Sequence, residues 1–444
     1  MTSMKPTLSA RRRDDILNAL RRGTVPQEGL GALAVGLDRF KVTVREDLER
    51  VAAGGGAFKA IRGEYGCGKT FFSRWLQEQA KGLGLATSEV QISESETPLH
   101  KLETVYRRMA ERIGTVSTPS GAFRSIIDTW FYALEEDALS SGKVDPNDSA
   151  ALLLLTDELM EKRLDAISRN APAFAAALRG YRAAIAKGDM ATAEGLIAWV
   201  AGQPNVSASV KRAADIKGEV DHFASLSFLQ GLLVVLRDSG HSGLLLVLDE
   251  VETLQRVRAD VREKALNALR QLIDEIDSGR FPGLFIVITG TPAFFDGPQG
   301  VQKLPPLASR LHTDFDSNGR FDNPRAPQIR LKAFDRPSLI EVGHKVRDIF
   351  AAGSSQEDRI RHMVSDSLVE RLADSISGEL GGKVGIAPRL FLKKLVADVL
   401  DRVDLYADFD PSRDYKLTLK ADELTAEERN RTAADSVDDI ALDL

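Results

Sequence analysis

A single cysteine in 444 residues leaves nothing for an internal disulfide to pair with, as suits a reducing compartment. No apolar run approaches the roughly 18 residues of a membrane span, so no membrane partner is expected. Arg11-Arg12-Arg13 is followed by Asp14-Asp15 rather than by an apolar stretch. Neither a secretory nor a twin-arginine signal is read there, and a cytoplasmic location is expected. Positive charge is not in excess: 59 Lys and Arg stand against 65 Asp and Glu, a net charge of −6. That balance argues against a surface devoted throughout to nucleic acid, local basic patches aside. No internal repeat is seen. What is present is ordinary globular composition, 43% hydrophobic and 28% charged, on a chain long enough for two or three domains of about 150 residues each.

The most informative segment is Gly63-Glu64-Tyr65-Gly66-Cys67-Gly68-Lys69-Thr70. The pattern G-x-x-x-x-G-K-[ST] needs its glycines so that successive backbone N–H groups can turn inward around phosphate oxygens. Lys69 would reach the β- and γ-phosphates, and the Thr70 hydroxyl would ligate Mg²⁺. Ala57–Ile61 precedes the loop as a short strand, and Thr70–Leu76 opens an amphipathic helix whose N-terminus adds its own attraction for anions. Gly63, Gly66, Cys67, Gly68, Lys69, Thr70 and Phe71 are therefore expected to surround the phosphates of a nucleoside triphosphate. Cys67 reads as a small residue tolerated in the loop, with an oxidation switch as the sharper alternative.

Around this loop, residues 1–45 read as an entry segment, with a helix near Asp14–Arg22 and another through Val44–Ala53 that Gly54-Gly55-Gly56 ends. Ser88–Ile92 reads as a second strand. From about 100 to 223 the pattern is almost wholly helical, with stripes over Lys101–Ile113, Ala122–Leu139, Ala150–Arg169 and Pro172–Ala186 and another helix over Phe223–Arg237. Leu244–Leu248 and Leu284–Ile288 are short and free of polar residues, as in strands buried on both faces of a parallel sheet. A helix over Arg256–Ile276 would join them, and Gln328–Leu331 would be the final strand. Helices follow at Arg336–Ala351, Glu357–Ser377 and Pro388–Val403. The fold class is thus α/β, a doubly wound parallel sheet with a P-loop core over 46–335. An inserted helical subdomain and a helical lid over 336–420 complete it, and residues 421–444 form an acidic tail.

Leu244–Leu248 delivers Asp249 and Glu250 at its C-terminal end, where ligands of open α/β sheets bind. Asp249 would hold Mg²⁺ through its water shell and Glu250 would polarise the attacking water. The plainer alternative is that both acids cap the following helix. Thr289 ends the other buried strand and could orient the same water, with Thr291 as the rival position. Arg310 lies in a short helical piece after Pro305-Pro306, and Arg389 in the first turn of a helix opened by Pro388. A cation in a first turn opposes the helix dipole, which is explained if it faces a triphosphate. Each arginine reads equally as a solvated surface residue. Arg256, Arg258, Arg262 and Arg270 make one helix basic, usually a solvated face and otherwise a DNA-facing one.

In these motifs the sequence resembles AAA+ ATPases of the origin-recognition initiator type. Ala34-Val35-Gly36 looks like the adenine-side box, with Val35 and Gly36 as its contact residues. Gly63–Thr70 and Asp249-Glu250 look like the Walker A and B motifs, and Thr289, Arg310 and Arg389 look like sensor 1, arginine finger and sensor 2. More narrowly, the loop through Phe72 together with Ala19–Pro26 resembles the BrxD family of ATP-binding proteins of bacterial BREX phage-defence systems, over most of the chain from Ala19 to Leu419. The chain departs from the pattern in two respects. Lys69 and Asp249 stand 180 positions apart, far more than a compact core needs. After Val403 too little chain follows for the full winged-helix DNA reader of initiators, although Tyr415–Leu419 could be a remnant wing.

The resemblance implies a Mg²⁺-dependent ATPase, a homo-oligomer working with other defence-system proteins, and DNA contact only by some route other than a full winged helix. Its rivals are an ATP-binding scaffold with negligible turnover and a transposition-type targeting ATPase that forms filaments on DNA. Glu250 argues against the scaffold, which has no need of a water-activating carboxylate.

Overall fold

The computed structural model describes residues 8–145, 147–379 and 387–416. The expected acidic tail and Leu417–Leu419 of the expected wing lie outside them. Two units divide the chain: 1–42 with 62–78 and 330–444, and 43–61 with 79–329.

The second unit holds a five-stranded sheet of β1 (Ala57–Arg62), β2 (Ala86–Gln91), β3 (Leu244–Asp249), β4 (Leu284–Gly290) and β5 (Gln328–Arg330), in the order β2-β3-β4-β1-β5. The pairs β2–β3 and β3–β4 are parallel, and their register sets Gln91 opposite Asp249 and Leu248 opposite Ile288. Every residue of β3 and β4 is buried, which is why both read as unbroken apolar runs: a parallel strand buried on both faces needs no polar residue. Asp249 therefore arrives at the end of a strand that has no solvent face.

The helical stretch between β2 and β3 does not form a core of its own. Its residues Tyr106, Trp130, Phe174, Trp199 and Phe228 belong to one apolar cluster with Leu246, Leu248 and Ile286 of the sheet. Phe228 is its hub, with the rings of Tyr106, Phe174 and Trp199 at 6.0, 5.3 and 5.4 Å in edge-on arrangements. Two helices the stripes did not mark individually, Met190–Val200 and Ala208–Ala213, complete this layer.

Past β3 the expected helix over Arg256–Ile276 begins later. Val251–Gln255 is a 3₁₀ turn and the α-helix runs Ala259–Asp277. The reason is local. Arg262 turns back to donate to the carbonyl of Gln255 at 3.1 Å, closing the 3₁₀ turn. Arg258 pairs instead with Asp260. Of the four arginines of the expected basic helix, Arg256 and Arg258 thus precede the observed helix and only Arg262 and Arg270 lie on it.

The first unit is built on the C-terminal helices Arg336–Ala351, Glu357–Met363, Asp366–Glu379 and Ala387–Lys394. The stripe over Glu357–Ser377 is thus two helices. The entry helix Ala10–Arg21 adds Ile16, Leu17 and Leu20 to the same core as Leu390, Leu395 and Val399. Arg21 fastens it with a two-pronged ion pair to Asp401, at 2.8 and 2.7 Å, the geometry in which arginine binds carboxylate best. No helix among the described residues is long and apolar enough to cross a membrane.

Candidate active site

In the first unit the phosphate loop closes on itself. Gly66 and Gly68 take φ of 78° and 95°, the left-handed region where a side chain is strained. Gly63 is required by space: a Cβ there would lie 2.3 Å from the Cys67 sulfur. Cys67 is buried, and burial pushes its thiol up from the ordinary value. It is held as a neutral packing group, so the oxidation-switch alternative loses its thiolate. Lys69 opens the helix Lys69–Gly82. Its Nζ donates to the carbonyls of Gly63 at 2.9 Å and Glu64 at 3.3 Å and lies 5.0 Å from the centre of the Tyr65 ring. The ammonium is thus inside the loop, where β- and γ-phosphates are expected.

After Lys69 the helix alternates duties. Thr70 is partly exposed. Phe71 packs its ring on the apolar core of the C-terminal helices, so only its backbone is available to a phosphate. Phe72 is buried against Phe40 and Trp75. One turn on, Arg74 donates to the carbonyl of Val25 at 2.6 Å, and Glu78 accepts from the amides of Gly29 at 2.8 Å and Gly31 at 3.2 Å. Arg74 and Glu78 are spaced i, i+4, where an Arg and a Glu on one helix face can pair with each other. Instead both hold the segment that leads to Val35 and Gly36. Lys345, on the helix Arg336–Ala351, ties that segment from its other end through the carbonyl of Ala34 at 2.5 Å. Gly36 has φ 70° and open space where a side chain would stand, so conformation alone calls for glycine. Arg389 lies in the first turn of Ala387–Lys394, and its guanidinium stands beside Gly23.

In the second unit the acidic pair sits in an ordered turn. Asp249 is buried, while Glu250 adopts φ 59°, ψ 42°, left-handed for a residue with a side chain. Its carboxylate accepts from Gln91 Nε2 at 2.8 Å, and it makes no side-chain cap to the 3₁₀ turn that follows. The reading of Asp249-Glu250 as helix caps therefore fails for Glu250. Thr289 is fully buried; its hydroxyl donates to Asp249 Oδ1 and accepts from the Glu250 amide at 3.1 Å. Thr291 instead stands at the start of the short helix Pro292–Asp296, where its carbonyl accepts from Phe294. Between the two threonines, Thr289 is the one that meets the acids. Arg310 donates to Asp274 and to the carbonyl of Pro306 at 2.8 Å and keeps about a third of its side chain exposed.

Gln91, Arg74, Glu78 and Lys345 were missed by sequence reasoning. The one usable signal was for Gln91: a polar amide closing an otherwise strand-like run, which the pairing with β3 sets opposite Asp249.

Among the described residues no three His, Cys, Asp or Glu side chains gather as a protein-built metal centre. Thr70 of the first unit and Asp249 of the second, which sequence assigns to Mg²⁺, each offer oxygen, the donor type a hard cation takes beside its waters and substrate phosphates. The glycine cradle, in which a side chain would clash or strain, fits a triphosphate.

Among families of known proteins, the one described as BREX system ATP-binding protein BrxC/D matches residues 8–419. No curated protein matches the chain.

Proposed function

The chain belongs to the BREX system ATP-binding protein BrxC/D family, and from that premise we propose that it hydrolyses ATP as a switch or assembly component of a phage-defence system. Its fold is read as a doubly wound AAA+ core with a C-terminal helical lid. The amides of Gly63–Thr70 wrap the triphosphate of the substrate, and Lys69 neutralises its β- and γ-oxygens. Val35 and Gly36 line the adenine side. Thr70 and Asp249 would hold Mg²⁺, which when bound draws charge from the phosphates. Glu250 takes up the proton side of the attacking water, and Arg389 faces the γ-phosphate. Phosphoryl transfer asks little else of a protein than such positioning and neutralisation.

What carries turnover over a binding-only scaffold is Glu250. Its left-handed backbone, the hydrogen bond it accepts from Gln91 and the one its amide donates to Thr289 form a strained and closely held arrangement, and residues held in such conformations collect at reactive sites. The test is phosphate release by the wild-type protein with Mg·ATP. Release that depends on Mg²⁺ is expected; tight ATP binding with no release above buffer would leave the scaffold.

Homo-oligomeric assembly enters through Arg310, which is proposed to reach the ATP of a neighbouring copy after leaving Asp274. An arginine supplied in trans is worth on the order of 10³-fold in rate. Arg310→Ala and Lys69→Ala proteins, each inactive alone, are expected to recover part of the activity when mixed, because an intact arginine then meets an intact loop. Absence of recovery at every ratio, with mixed assembly verified by light scattering, would confine Arg310 to its pair with Asp274.

A further inference from the structure

We propose that Thr289 is a positioning residue, a clasp that fixes Asp249 and Glu250 together, and not a group that touches the attacking water; this rests on the ATPase reading of the same residues. A threonine hydroxyl has one hydrogen to give and two lone pairs. Here the hydrogen goes to Asp249 Oδ1, and a lone pair takes the Glu250 amide at 3.1 Å. With its hydrogen committed to a carboxylate, the hydroxyl has none to offer a water or a γ-phosphate oxygen. Its residue is also fully shielded from solvent.

The clasp follows from strand register. Leu248 pairs with Ile288 in the parallel β3–β4 ladder, so the next residues, Asp249 and Thr289, come side by side at the ends of the two strands. Ile286, Val287 and Ile288 before it are aliphatic, and Thr289 has the same branched shape plus one oxygen. Packing alone would be served by valine. The oxygen is used twice, and both partners are the acids assigned to Mg²⁺ and water.

The second partner explains an oddity of the backbone. Among the described residues only Asn205, Asp215 and Glu250 carry positive φ without being glycine. Asparagine and aspartate tolerate that region through their short polar side chains, whereas glutamate does not share that advantage. Such a conformation persists where neighbours hold it. Glu250 is gripped at its amide by Thr289 and at its carboxylate by Gln91. Removing the hydroxyl takes a bond from the Asp249 carboxylate and the side-chain partner from the Glu250 amide in one step, so metal handling and water activation should weaken together.

The test compares Thr289→Val, which keeps shape, with Thr289→Ser, which keeps the hydroxyl. Hydrogen exchange at the Glu250 amide is expected to quicken on the order of tenfold in Thr289→Val, the scale of one lost hydrogen bond. In the same variant turnover should fall at least as far and the half-saturating Mg²⁺ concentration should rise. ATP binding without Mg²⁺ depends on the loop and should not change. Thr289→Ser should restore all three. Wild-type exchange, or quickened exchange with wild-type turnover and Mg²⁺ dependence, would overturn the clasp. Should the wild type itself release no phosphate, the ATPase reading falls instead. Exchange, together with the Mg²⁺ dependence of ATP binding, then decides the clasp. If Thr289→Val does not fold, Thr289→Ala against Thr289→Ser gives the same contrast.

Discussion

Lys69→Ala is expected to abolish tight ATP binding and leave the protein folded. The ammonium is enclosed by its own loop, on the carbonyls of Gly63 and Glu64 and over Tyr65, and it belongs to neither apolar core. A phosphate arriving there would meet a lysine already shielded from water, and charge-assisted bonds formed in such surroundings are about twice as strong as neutral ones. Losing that bond together with its long-range attraction should weaken ATP by roughly two orders of magnitude, about 3 kcal/mol. The melting temperature without nucleotide should move little, because alanine is the best helix former at the first position of Lys69–Gly82. Calorimetric titration with ATP beside thermal melting separates the two effects. Wild-type affinity in a folded variant would remove the loop from the site.

The parts legible in the sequence are those whose signal is local. β3 and β4 could be read because complete burial leaves a run with no polar interruption. The turns at Gly66 and Gly68 could be read because their left-handed backbone demands glycine at fixed offsets. Glu250 shows the opposite case. Its backbone is as left-handed as theirs, yet glutamate carries no mark of it, because the conformation is imposed by Thr289, thirty-nine residues away, and Gln91, 159 residues away. Arg74 and Glu78 likewise carry no mark of their role, because their partners are backbone groups nearly fifty residues back. The entry helix looked like a separate segment because its apolar face finds Leu390 and Val399 only in the folded chain.

That nonlocal character also explains the mismatch around the expected helix after Asp249. A pattern of arginines and leucines from Arg256 onward favours a continuous helix, but the turn at Glu250 must close first, and Arg262 helps to close it through the carbonyl of Gln255. The nine residues between Asp249 and Ala259 thus serve the acidic pair rather than helical propensity. A site that displaces regular structure in this manner is where local and global preferences are expected to disagree.

Glu250→Gln should separate hydrolysis from binding more sharply than any other single change. Glutamine keeps the length and one acceptor oxygen, so the bond from Gln91 Nε2 at 2.8 Å can survive, and the bond to Thr289 uses only the backbone amide of residue 250. The turn at Glu250 and the orientation of Asp249 therefore have no reason to change. What is lost is the negative charge that draws a proton from water, and general-base help of this kind is worth about 10²–10⁴-fold. Turnover is expected to collapse by that factor while Mg·ATP binds near wild-type affinity through Lys69, Thr70 and Asp249. If ATP favours an assembly completed by Arg310, a variant that cannot leave the ATP-bound state should accumulate in it, since a ligand shifts the population toward the state it binds better. Phosphate release measured beside light scattering, with and without Mg·ATP, reads both effects. Wild-type turnover would remove Glu250 from the mechanism. Lost turnover in a protein that binds ATP and stays monomeric would keep Glu250 as the base and discard the shared site at Arg310.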